Sequence, residues 1–164
     1  MPAKEKTLED LFYETLKDIY FAEKQILKAL PKMAKAVNSD ELRQAFEKHR
    51  GETEGHVERL EEVFGLIDRP ARAKTCDAIL GIVDEGKEIM DEFADSPALD
   101  AGLLAGAQAV EHYEISRYGT LRTWADELGL RDAVRLLEQT LAEEKKTDEL
   151  LTRLAERAVN LAAA

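Results

Sequence analysis

Apolar residues recur at three- and four-residue steps along most of this chain, which is the pattern of helices that bury one face. Five helices are predicted. The first runs from about Thr7 to Val37, with Thr7 as N-cap, Glu9 and Asp10 in the first turn, and Pro31 placed to kink it or end it early. The second starts at Asn38, with Glu41 completing a capping box, and ends near Gly65. After a polar link through Asp68, Arg69 and Pro70, a shorter helix spans roughly Thr75 to Phe93; its apolar side carries Ile79, Ile82, Val83, Ile89, Met90 and Phe93. Ser96 and Pro97 then break the pattern. The fourth helix runs from about Ala98 to Leu128 and stops at Gly129, and the last runs from about Arg131 to Asn160.

Four of these helices approach 30 residues, or ~45 Å at a rise of 1.5 Å per residue. Short links join the first to the second and the fourth to the fifth, whereas a long connection holding the short helix joins the two pairs. Two antiparallel hairpins with one long crossover is the connectivity of ferritin-like four-helix bundles; up-and-down bundles lack the crossover. The expected fold is therefore all-α, a single ferritin-like domain over residues 1–164.

Written at core spacing, each long helix is apolar at both ends and polar in the middle. The first gives Phe12, Leu16, Ile19, Glu23, Ile26 and Leu30; the second gives Phe46, His49, Thr53, His56, Leu60 and Val63, with Glu52 just off the seam. The fourth gives Leu104, Ala107, Glu111, Glu114, Tyr118, Leu121 and Ala125. The last gives Val134, Leu137, Leu141, Glu144, Asp148, Leu151 and Ala155. Unpaired buried carboxylates cost several kcal/mol each, so bound cations are needed to offset them.

The two halves repeat the arrangement. Glu23 is followed 29 positions later by Glu52 with His56 four residues on, and Glu111 is followed 33 positions later by Glu144 with Asp148 four residues on. Residues four apart share a helix face. The expected metal set is Glu23, Glu52, His56, Glu111, Glu114, Glu144 and Asp148, holding two metal ions: iron first, with manganese accepting the same ligands. His49 lies two turns from His56, so both cannot serve one ion, and an outer hydrogen-bonding role is expected for it. His112 points away from Glu111. Tyr118 can hydrogen-bond a ligating carboxylate or serve as an ordinary core tyrosine, and interior packing is expected for Tyr20 and Trp124.

Composition narrows the function classes. A formal charge of −11 argues against non-specific nucleic-acid binding and against anionic membranes. One cysteine, Cys76, rules out an intrachain disulfide or an all-cysteine metal site. The N-terminal stretch lacks the apolar run of a signal peptide, and no segment has the apolar length of a membrane span, so a soluble cytoplasmic protein is expected. No phosphate loop, dinucleotide fingerprint or nucleophile elbow is present.

Three stretches carry a family resemblance: His49-Arg50-Gly51-Glu52-Thr53 with His56, Val110-Glu111-His112-Tyr113-Glu114 with Tyr118-Gly119-Thr120-Leu121, and Leu141-Ala142-Glu143-Glu144-Lys145. Together they resemble the YciE/YciF family, a ferritin-like group related to rubrerythrin, over nearly the whole chain. The resemblance implies a homodimer with a dimetal site and a link to stress responses, with members described as ferroxidases. Two departures stand out against the usual ferritin-like pattern. The glutamate-x-x-histidine pair has one extra residue in the second helix, and in the last helix Asp148 stands where a histidine is usual.

The expected function is oxidation of Fe(II) with O₂ or peroxide at the dimetal site. With one cysteine, the chain lacks the four-cysteine iron centre of rubrerythrins, so peroxidase turnover would need an outside electron donor. The alternatives are a metal- or partner-binding stress protein whose ions are structural, and a cage-forming storage protein. The short crossover helix is the candidate for dimer contact, or a cover for the bundle.

Overall fold

The computed structural model describes residues 4–164, and these form five main helices with no strand among the described residues. They are α1 (Leu8–Ala36), α2 (Asp40–Leu66), α3 (Asp77–Glu92), α4 (Leu99–Glu127) and α5 (Arg131–Leu154). The last continues through a π-helical turn, Ala155–Val159, into a final turn, Asn160–Ala163. α1 packs on α2, α2 on α5, α5 on α4 and α4 on α1, closing a ring of four. The crossover helix α3 lies outside that ring, against α4 and α1. This is the expected ferritin-like bundle. No helix is long and apolar enough to cross a membrane.

The helix ends follow local chemistry. Thr7 and Asp10 form a reciprocal capping box at the start of α1. Pro31 does not end α1, which runs on to Ala36 because Ala34 and Val37 are buried beyond it. Arg43 from α2 then binds the carbonyls of Ala34 and Val37, closing that end. The cap of α2 is Ser39, not Asn38: the Ser39 hydroxyl accepts from Leu42 N–H. The backbone N–H groups of Asn38 and Ser39 instead donate to Asp100, in the first turn of α4, at 2.8 and 2.7 Å. Gly129 adopts φ +71° after α4, where the N–H of Leu130 reaches the carbonyl of Ala125 and that of Gly129 reaches Asp126, a Schellman closure. Cys76 is buried and caps α3 by accepting from Ile79 N–H.

The close approach of α3 to α4 depends on Gly102. A Cβ there would lie 2.7 Å from Cγ2 of Ile89, inside van der Waals contact.

The expected core positions of α1, α2 and α4 are all buried. The seam of α5 differs. Its buried residues are Ala133, Leu137, Thr140, Glu144, Thr147, Leu151 and Leu154, an unbroken alternation of four- and three-residue steps. That strict heptad seam runs through small polar residues instead of Leu141 and Asp148.

Candidate metal centre

At mid-bundle the apolar core gives way to a layer of acid and imidazole. Glu23 from α1, His49 and His56 from α2, Glu111 and Glu114 from α4 and Glu144 from α5 are all buried. Their ligand atoms form two groups in which every atom lies within 4.8 Å of the others: His49, Glu111, Glu114 and Glu144 in one, Glu23, His56 and Glu144 in the second. Glu144 belongs to both.

These atoms converge without pairing. His49 Nε2 lies 2.7 Å from Glu111 Oε1, and His56 Nδ1 lies 2.8 Å from Glu144 Oε1 and 3.4 Å from Glu23 Oε1. Yet the two nitrogens are not aligned as hydrogen bonds to these oxygens, and both stay unpartnered. Glu114 has no partner on either oxygen, and neither has Glu144. Among the described residues, the orphaned buried side-chain atoms are these, with His49 Nδ1, one oxygen each of Glu23 and Glu111, and Arg117 Nε. Closeness without alignment is the geometry of donors aimed at common points.

Such a layer cannot keep every carboxylate charged without a counter-charge. Burial pushes Glu114 well above the usual carboxylate range, and the charges of Glu144, Glu23 and Glu111 push it further. Glu111 is raised by burial and by Glu144, against the lowering influence of His49. Burial opposes the imidazolium of His56, but Glu144 and Glu23 outweigh it and raise its pKa to about 10. His49 is likewise raised, against its own burial, by Glu111 and Glu52. Burial also acts against the Glu144 carboxylate, but contacts with Glu111 and His56 win and hold it down at about 2. Protons thus stand in for cations. With neutral imidazoles, the four carboxylates carry four negative charges, which two divalent cations would balance. An all-oxygen-and-nitrogen donor set suits iron or manganese.

A second ring of contacts fixes the ligands. His56 Nε2 lies 2.9 Å from Glu143 Oε2, and Glu143 is held by both terminal nitrogens of Arg59 at 2.8 Å. His49 Nδ1 faces Glu52 Oε2 at 3.8 Å, and the Thr147 hydroxyl donates to the same oxygen. Each histidine therefore has one nitrogen toward the centre and one toward an outer carboxylate. Tyr118 donates to Glu23 Oε1 at 2.6 Å, so it does contact a cluster carboxylate.

Of the expected metal set, the structure brings together Glu23, His56, Glu111, Glu114 and Glu144. It does not bring in the other two. Glu52 sits at the rim, a quarter exposed, where it backs His49. Asp148 lies one residue off the α5 seam and binds Gln108 and His112 at the surface. His49, expected in an outer role, lines the centre itself. Glu143 and Arg59 gave no signal beyond Arg59 following His56 by three residues and Glu143 preceding Glu144.

A family model described as "Domain of unknown function (DUF892)" matches residues 7–164. The chain belongs to this family. It is 45% identical over 156 residues to Protein YciF of Escherichia coli strain K12, covering 94% of both chains, so the resemblance to the YciE/YciF group holds. Two solved relatives share the bundle. The E. coli stress protein YciF superposes with a TM-score of 0.90 at 44% identity, over 95% of this chain and 99% of that one. YcfI of Rhodopseudomonas palustris, provisionally described as a structural protein, gives 0.88 at 45% identity over 93% and 97%.

Proposed function

We propose that this chain is a dimetal carboxylate protein that oxidises Fe(II) with O₂ or peroxide, in the stress response that its E. coli relative is named for. The observation that carries the reading is the convergence of unpartnered, buried donor atoms on two sites sharing Glu144. A layer built only for stability would pair its polar atoms or omit them.

Fe(II) bound as substrate supplies one electron per ion; two electrons and two protons reduce O₂ to H₂O₂, or H₂O₂ to two waters. The protein residues set the conditions for that exchange. Glu144 belongs to both groups of donor atoms, so it would hold two bound ions near each other, where both could give an electron to one oxidant molecule. His49 and His56 would bind through Nε2 and Nδ1, the nitrogens that face the cluster. Glu114, with no other partner, is able to change its mode of ligation as charge on the ions rises. The apolar layers above and below close the centre along the bundle axis.

The test is stopped-flow mixing of Fe(II)-loaded protein with oxygenated buffer, followed by near-ultraviolet absorbance. Oxidation well above the buffer rate is expected, with loss in Glu144→Gln. If the wild-type rate equals that of buffer while metal still raises the melting temperature, the ions are structural and the oxidase reading fails.

A further inference from the structure

An apolar crevice of about 130 Å³ opens between α3 and the α1–α4 face, and its inner wall includes His49 and Glu111 of the metal centre. Ile26, Leu30 and Leu103 line it from the bundle, and Val83 and Met90 from α3. These walls leave alkyl contacts as its main interaction. Three lysines also line it: Lys28 and Lys32, one turn apart on α1, and Lys87 on α3. All three are exposed, so they lie on the solvent side of the lining. Lys87 is tied to Asp84, but among the described residues no carboxylate pairs with Lys28 or Lys32. In a chain of net charge −11, the charged side chains of the lining are these three lysines and Glu111, a positive balance. Gly86 and Gly106 line the same space, and a Cβ on either would meet nothing within 4 Å. Alanine would favour both helices, so glycine here keeps volume open at a cost in helix stability. At the inner wall, His49 and Glu111 are buried and keep unpartnered atoms.

We propose that the crevice binds a medium-chain aliphatic anion, its tail against the walls named above and its head at Lys28 and Lys32. A dry cavity of ~150 Å³ accepts six carbons in the form of benzene, so about six carbons fit here with the head outside. The site stands apart from the oxidase reading, because binding is measured without any oxidant.

The probe is octanoate, titrated calorimetrically into the full chain, metal-free and Co(II)-loaded. Octanoate should bind at one per chain, octylamine at least tenfold more weakly, and octyl phosphate in the manner of octanoate. Gly106→Leu fills the crevice and should abolish binding while keeping or raising the melting temperature. The double variant Lys28→Glu with Lys32→Glu should weaken octanoate at least tenfold. In the Co(II) form, binding should alter the visible spectrum through His49 and Glu111. Equal binding of octanoate and octylamine overturns the proposal, as does binding that survives Gly106→Leu. No octanoate binding, with a dimer that Gly106→Leu dissociates, overturns it in favour of a second copy covering the crevice.

Discussion

His56 is held from behind by Glu143: its Nε2 lies 2.9 Å from the Glu143 carboxylate, which leaves Nδ1 facing Glu144 and Glu23. Arg59 clamps Glu143 through both terminal nitrogens, so the carboxylate that His56 meets is itself fixed, and turning the imidazole would cost the His56–Glu143 contact. Outer carboxylates of this kind are typically worth 10–100-fold in metal affinity. Glu143→Gln should weaken one of two bound equivalents by about that factor and spare the other. Competitive titration with Mn(II) checks this; equal weakening of both equivalents would contradict the assignment of His56 to one site.

Metal loading should release protons. In the metal-free protein, His49, His56, Glu111 and Glu114 all have raised pKa values, so they hold protons that a cation must displace. Affinity should therefore rise with pH. Titration of metal into weakly buffered protein with an indicator dye measures the release, and a proton-neutral uptake would contradict the buried layer described here.

The same shifts set the stability of the metal-free form. A raised histidine pKa contributes stability that is complete below the unfolded value and is lost as pH climbs through the folded one; for His56 that window is 6.5 to about 10. Raised carboxyls act in the same direction, since the folded state binds more protons above the unfolded value of 4.5. Glu144, depressed to about 2, contributes stability that is complete above 4.5 and changes nothing across the higher range. Metal-free protein should thus melt at lower temperature as pH rises from about 6.5 to 10, and the gain from added metal should grow in step. Differential scanning calorimetry at several pH values reads both.

Asp148→Ala tests the surface placement of that residue. Its bonds to Gln108 and His112 are partly exposed, so the loss should stay below about 1 kcal/mol, with two metal equivalents retained. Glu114→Ala, by contrast, should lose metal. Metal analysis after dialysis distinguishes the two.

Tyr118→Phe removes the donor to Glu23 and leaves a buried carboxylate oxygen without it. Metal-free stability should fall by about 1–3 kcal/mol, measured by urea denaturation.

Three of the four seams are legible because large apolar residues flank the polar layer on both sides: Ile19 and Ile26 around Glu23, Phe46 and Leu60 around the histidines, Leu104 and Leu121 around the α4 glutamates. In α5 the seam passes through Ala133, Thr140 and Thr147, which carry weak hydrophobic signal, so Leu141 and Asp148 looked like better core positions than they are. The separation of His49 from His56 correctly set them at different points. That both points share Glu144 depends on how α5 rotates against α2, which spacing within one helix does not encode. The outer carboxylate of Glu143 is illegible for the same reason: it meets His56 and Arg59 only across a helix interface.

The thiol of Cys76 is almost wholly covered, caps α3, and lies 3.0 Å from the Tyr113 hydroxyl, which in turn donates to Asp18 on α1. As the sole sulfhydryl of the chain, it is a built-in clock for detachment of the crossover. Its alkylation rate by a neutral reagent reports how often that strap lifts away, without any label being engineered in.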